Sequence, residues 1–362
     1  MQNEIFIQSI DIKQVRHLHN IHIPIAENER KHLILTGKNG SGKTSVLEEI
    51  RDFLGKAIIG KVSVAVLNIG YIHSEKAKNN FFLLYFSAKR QLKFNEPKGI
   101  EKIDILNLFN SEEPANQIFL QYLVNLKAQR SFARDDNKMD VVQKIDAWFI
   151  MFEASLQEIF DDKTLTLEFD NQNFTFNILQ AGKERFDFNT LSDGYSAILH
   201  IVTELMLRME HKTPQVYDRQ GIVLIDEIEA HLHIDLQKKI LPFLTRFFPQ
   251  IQFIVTTHSP FVITSIDNAV VFDLENQVPI TSLSHLSVSG VIEGYFHADK
   301  YSEHIKELVT EYETLTQKTI LNEDEKDRAH YLRKYFKDLP KFMSNELAIK
   351  IQQIELSKLQ LA

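Results

Sequence analysis

Residues Gly37-Lys38-Asn39-Gly40-Ser41-Gly42-Lys43-Thr44 follow the spacing G-x-x-x-x-G-K-[ST] in full. Glycines at these positions let the backbone curl until successive N–H groups face an anion at a helix N-terminus. Lys43 would then reach the terminal phosphate oxygens, and the Thr44 hydroxyl would be a ligand of Mg²⁺. A second group ends an apolar run: Gly221-Ile222-Val223-Leu224-Ile225 leads into Asp226 and Glu227. At the end of a buried strand Asp226 suits Mg²⁺, and Glu227 can orient or deprotonate a water. A third, Ile254-Val255-Thr256-Thr257-His258, places an imidazole just past another apolar run, where it can sense a terminal phosphate. Ser192 and Gly194 open a predicted helix. They form either a simple N-cap or a second anion site. Singly these features have bland explanations: a glycine turn, solvated acids, a structural histidine, a cap. Together they favour phosphate chemistry. Two anion-binding helix starts in one chain cannot easily serve one nucleotide. The second is therefore expected to face a nucleotide held by another subunit, in a head-to-tail dimer.

The elements that must position these groups are legible in outline. Residues 4–12 and 21–25 alternate apolar and polar side chains like half-buried strands, with Arg16 between them. Residues 32–36 form a short buried strand that stops at Gly37. Residues 44–55 follow as a helix with Val46, Leu47, Ile50 and Leu54 on one face. Further on, 80–86 reads as a buried strand, 115–130 and 139–160 as helices, and 164–178 as a hairpin turning at Asp170–Asn173. Then come a helix over 194–210, a strand over 221–225, a helix over 234–247, and strands at 251–256 and 270–274. Apolar strands alternating with helices imply an α/β fold whose parallel sheet is covered on both faces. From about residue 301 the chain becomes charged and helical. The expected divisions are 1–55, 56–160, 161–280 and 281–362.

Composition narrows the function classes. Hydrophobic residues make up 44% and charged residues 25% of the 362 positions, the balance of a globular protein. The net charge of −8, from 41 basic and 49 acidic residues, excludes a uniformly basic nucleic-acid coat, although a local basic groove remains compatible. With no cysteine, disulfides, thiolate metal sites and cysteine nucleophiles are excluded. No apolar run reaches the roughly 18 residues of a membrane span. Met1-Gln2-Asn3-Glu4 does not begin a signal peptide, so a cytoplasmic protein is expected. The phenylalanines and the lone Trp148 read as core packing.

GKNGSGKTS at 37–45, LSDGYSA at 191–197, IVLIDEIEAHLH at 222–233 and FIVTTHSPFVI at 253–263 resemble, in order, the motifs of ABC-class ATPases of the RecF/SMC/OLD group. The resemblance covers residues 4–275, interrupted from about 56 to 160. It implies an ABC-type P-loop head with an antiparallel β subdomain, a mixed or parallel core sheet, an α-rich insertion and a helical tail. It also implies ATP and Mg²⁺ as ligands. Carried over by position, Gly37 to Lys43 and Ser45 hold phosphates, and Thr44 and Asp226 hold the metal. Glu227 is similar to the catalytic glutamate and His258 to the switch histidine. Ser192 and Gly194 match the signature that closes on the partner subunit's nucleotide. Arg16 resembles a basic residue placed near the nucleotide, and Gln91 is one of several candidates for the Mg²⁺-sensing glutamine. Two departures stand out: Asp193 adds a charge at the signature, and Ile234 stands where proline is usual. No long heptad arms and no Toprim acid cluster are expected. Asp324, Glu325 and Asp327 read as a solvated helix face. Compact relatives of this kind resemble the ATPase halves of anti-phage pairs, such as the Septu ATPase. That implies a homodimer or higher oligomer, a separately encoded nuclease as partner and no membrane. The rival readings are a RecF-like DNA-repair ATPase that binds nucleic acid, and a self-contained toxin with an ABC head.

Overall fold

Alternating side chains at the start of the chain build the first sheet. The computed structural model describes residues 4–56, 62–67, 81–90, 93–103, 115–209, 219–280, 290–291, 303–318, 320–338 and 349–353. Strand β1 (Phe6–Val15) pairs antiparallel with β2 (Leu18–Pro24) through a turn at Arg16 and His17. On its other side β1 pairs with β4 (Val62–Leu67), which the sequence reading missed.

The central sheet has the order β12-β11-β3-β10-β9-β5. Its five parallel strands are β3 (His32–Thr36), β5 (Phe81–Phe86), β9 (Gln220–Ile225), β10 (Ile251–Thr256) and β11 (Ala269–Asp273). Antiparallel β12 (Val278–Ile280) closes one edge and was also unforeseen. The three central strands are buried along nearly their whole length, as a sheet covered on both faces requires. Helix α1 (Lys43–Lys56) follows β3, and its Val46, Leu47 and Ile50 share a core with Ile10, Ile12 and Ile23 of the first sheet and Leu33, Leu35, Leu224 and Ile254 of the second.

Two glutamines, the buried Gln252 and the half-buried Gln220, tie the sheets together. Gln252 accepts the Ile7 N–H at 2.7 Å and donates to the carbonyls of Ile7 and Lys31, while Gln220 accepts the Ile5 N–H at 2.7 Å. Nearby, His32 Nδ1 accepts the Phe253 N–H at 3.0 Å. Burial, aided by the Arg30 charge, pushes that imidazole down to about 4, so it stays neutral and keeps this acceptor.

A short 3₁₀ turn leads into α2 (Phe119–Asp135), followed by α3 (Met139–Phe160). Trp148 is 2% exposed and stacks on Phe152 at 5.3 Å, inside an aromatic core. The expected hairpin is β6 (Thr166–Asp170) and β7 (Thr175–Leu179), extended by the two-residue β8 (Phe186–Asp187). Helices α4 (Asp193–Met209), α5 (Ile234–Phe247) and the short α6 (Pro260–Ile263) complete this part. Ile234 takes the first turn of α5 without disturbing it, behind an extended His233.

Residues 1–288 form one compact unit and 289–362 a second. In the second, α7 (Glu303–Gln317) and α8 (Glu323–Asp338) bury Leu308, Tyr312, Leu332 and Phe336 between them. Asn322 and Glu325 form a reciprocal capping box at the start of α8, and Asp324 and Asp327 are exposed. Arg328 engages Glu311 bidentately at 2.8 Å. Among the described residues no helix is long and apolar enough to cross a membrane.

Candidate phosphate-binding site

The register of the parallel strands decides which loops meet. Ile225 stands opposite Phe86 and Val255, and Leu35 stands opposite Thr256 and Phe272. The loops that leave β3, β5, β9, β10 and β11 therefore line one carboxyl edge, where open α/β sheets place their ligands.

The 37–44 loop rises from β3. Gly37 (φ 131°) and Gly42 (φ 98°) lie in the left-handed region. A Cβ on Gly37 would stand 2.9 Å from Ser41 Oγ, and one on Gly42 would stand 3.0 Å from Leu18 Cδ1 and 3.8 Å from His17. Glycine is required for close approach as well as for backbone conformation. The second contact also shows that the β1–β2 turn lies over the loop. Arg16, exposed and left-handed in that turn (φ 53°), is therefore carried beside the loop.

Lys43 is buried, and its Nζ donates to the Gly37 carbonyl at 2.8 Å and the Lys38 carbonyl at 3.0 Å. Burial lowers its pKa against the opposing charges of Glu227, Glu229, Asp226 and Asp273. Lys38, Asn39 and Gly40 are exposed, and Ser45 is half-buried in the first turn of α1. Lys38 Nζ meets Glu275 at 2.8 Å, just beyond β11.

Asp226 is the hub of the site. Thr44 Oγ1 donates to its Oδ1 at 3.1 Å and to Oδ2 at 3.0 Å, and Thr256 Oγ1 donates to Oδ1 at 2.6 Å. The carboxylate thus links the start of α1, the end of β9 and the end of β10. A hydroxyl and a carboxylate this close suit a small hard cation that takes its remaining ligands from phosphate oxygens and water.

Glu227 follows with φ 45° and is half-buried, its N–H donating to Thr256 Oγ1 at 2.7 Å. His258 sits past β10, its backbone N–H held by Glu229. Burial first, then the Lys43 charge, lowers the His258 pKa, which favours a neutral imidazole able to donate a hydrogen bond.

Lys43, Thr44, Asp226, Glu227 and His258 are therefore grouped at one edge. Ser192 is exposed at the start of α4. A Cβ on Gly194 would meet the His231 carbonyl at 3.0 Å, so this helix start packs against the segment that follows the acids. Among the described residues no hydrogen bond joins Ser192 to Lys43, Thr44 or Asp226. Gln91 lies outside the described residues.

Sequence reasoning missed Thr256, Glu229, Glu275 and Arg90. Thr256 carried one signal, a hydroxyl ending a buried strand. Arg90 carried another, a charge just after a strand.

A family model described as "AAA domain, putative AbiEii toxin, Type IV TA system" matches residues 119–264. The Septu protein PtuA of Bacillus mycoides (strain KBAB4) is 29% identical over 311 residues, which is 75% of this chain and 41% of that protein. The "Retron Ec83 probable ATPase" of Escherichia coli is 39% identical over 115 residues, 31% of this chain and 19% of that protein. The Septu protein PtuA of Bacillus thuringiensis is 25% identical over 273 residues, 65% of this chain and 68% of that protein. The chain thus spans less than half the length of the first two of these relatives.

Proposed function

We propose that the chain, which is similar to Septu PtuA and the retron ATPases and matches an AAA-domain family over residues 119–264, is an ABC-class ATPase that hydrolyses ATP between two head-to-tail copies of itself as the regulatory subunit of an anti-phage complex. What supports the chemical part is Asp226, whose carboxylate joins Thr44 of the phosphate loop to Thr256 beside Glu227.

The N–H groups of residues 37–44, with Ser45, receive the phosphates of ATP, and Lys43 turns its ammonium to the β- and γ-oxygens. Thr44 and Asp226 would hold Mg²⁺, which when bound neutralises charge on those oxygens. Glu227 orients a water and takes its proton as the water oxygen bonds to the γ-phosphorus. The bond between that phosphorus and the bridging oxygen breaks, and ADP keeps the electron pair. Neutral His258 donates to a γ-phosphate oxygen. Arg16 lends positive charge at the rim. The exposed Ser192 and the N-terminus of α4, with Gly194, serve the nucleotide of the other copy. ATP then favours the closed dimer by its extra contacts there, and loss of the γ-phosphate removes them.

The biological part rests on the similarity to Septu PtuA across three quarters of the chain. The partner assigned is a separately encoded nuclease, in a cytoplasmic complex. The test is affinity purification of the Glu227→Gln protein from its host in Mg-ATP, with the accompanying chains identified by mass spectrometry. A stoichiometric nuclease is the expected result. A dimer carrying only DNA would replace the defence role with that of a DNA clamp.

A further inference from the structure

Strand β5 ends in register with Ile225, and the chain beyond it turns inward to bury Arg90, which is 5% exposed. Arg90 Nη2 donates to the Glu227 carbonyl at 2.6 Å, an oxygen that also accepts the Ala230 N–H at 2.8 Å. On its other side the Glu227 N–H is held by Thr256. Both peptide groups of Glu227 are thus pinned, and the residue sits in the left-handed region at φ 45°. A non-glycine residue stays there only where its surroundings over-determine it.

The way Arg90 is paired is telling. A buried guanidinium is most stable in bidentate contact with a carboxylate. Here it gives one N–H to a main-chain oxygen, and its Nε and Nη1 have no hydrogen-bond partner among the described residues. Glu229, the acid that most offsets the burial of Arg90, gives one oxygen to the His258 N–H and leaves Oε2 without a hydrogen bond. A buried charge so incompletely paired is costly to the fold. Its placement makes sense as a clamp on the segment bearing Glu227.

We infer that Arg90 is a positioning residue: it fixes the Glu227 peptide so that the carboxylate faces the nucleotide. The inference rests on the ATPase reading above and extends it to a residue outside the phosphate loop and the acid pair.

The test uses the full chain with Arg90→Met and Arg90→Lys, each alone and combined with Glu227→Gln. Single-turnover ATP hydrolysis and equilibrium Mg-ATP binding are measured on all of them. Arg90→Met is expected to slow hydrolysis roughly 100-fold, the penalty typical of a misplaced reacting group, while nucleotide affinity holds. Arg90→Lys, which keeps a donor, recovers part of the rate. Neither change slows the residual reaction further once Glu227 is Gln, because Arg90 acts through that residue. A wild-type rate in Arg90→Met would overturn the inference. So would equal losses of affinity and rate, or additive effects with Glu227→Gln. If Arg90→Met does not fold, Arg90→Lys and its double variant decide by the same non-additivity. Absence of turnover in the unaltered chain would instead bring down the ATPase reading, and this inference with it.

Discussion

Replacing Glu227 by Gln is expected to slow ATP hydrolysis by roughly 10²- to 10⁴-fold, the range associated with loss of a general base, while Mg-ATP stays bound. The expectation follows from how the residue is held. Its position is set by main-chain contacts, the N–H to Thr256 and the carbonyl to Arg90 and Ala230, so an isosteric amide leaves the loop in place. What changes is the ability to take a proton. Phosphate release and retained nucleotide, assayed on the same sample, separate the two effects. Turnover at the unaltered rate would remove Glu227 from the chemistry.

The second large effect is expected at Lys43. Its ammonium is buried and already holds the carbonyls of Gly37 and Lys38, so it stands within the loop that would surround the phosphates. Lys43→Met keeps the apolar stem and removes the charge. Two charge-assisted contacts to phosphate, at about 1.5–3 kcal/mol each, make a loss of about 3 kcal/mol a conservative expectation. That is a factor of about 100 in Mg-ATP affinity. The fold should tolerate the change, because a buried charge disappears with its desolvation cost. Calorimetric titration with Mg-ATP reads the affinity, and thermal melting without nucleotide reads the fold. An unchanged dissociation constant would mean that the loop binds something other than a nucleotide's phosphates.

How much of this was written in the sequence differs from element to element. Strands β3, β9 and β10 carry short apolar runs (residues 33–35, 222–225 and 253–255) closely followed by glycine, acids or a polar turn, so both the strands and the groups they carry stood out. The 164–178 hairpin was legible for another reason, a polar turn between alternating strands, and Asp170 indeed accepts the N–H groups of Gln172 and Asn173. Strand β4 escaped because, among the described residues, it pairs with β1, far back in the chain. Strands β8 and β12 are too short for any periodicity to show.

The site divides in the same way. Lys43, Thr44, Asp226, Glu227 and His258 were named from residue type and spacing, because each lies in a short motif that is legible along the chain. Thr256, Glu229 and Arg90 were passed over because their roles exist only across strands. Arg90 reads as one more cation in a polar stretch until the pairing of β5 with β9 sets it against the Glu227 carbonyl. Thr256 reads as an ordinary strand residue until β10 lies beside β9 and its hydroxyl reaches Asp226.

The central claim is that ATP joins two copies of the chain, each lending its exposed α4 start to the other's nucleotide. The most direct measurement is sedimentation equilibrium of the Glu227→Gln protein without nucleotide, with Mg-ADP and with Mg-ATP. In parallel runs, Ser192 is replaced by Arg. The account predicts a doubling of mass with Mg-ATP alone, and no doubling in the Ser192→Arg protein although it still binds Mg-ATP. One and the same mass under all three conditions, or a dimer indifferent to Ser192, would contradict it.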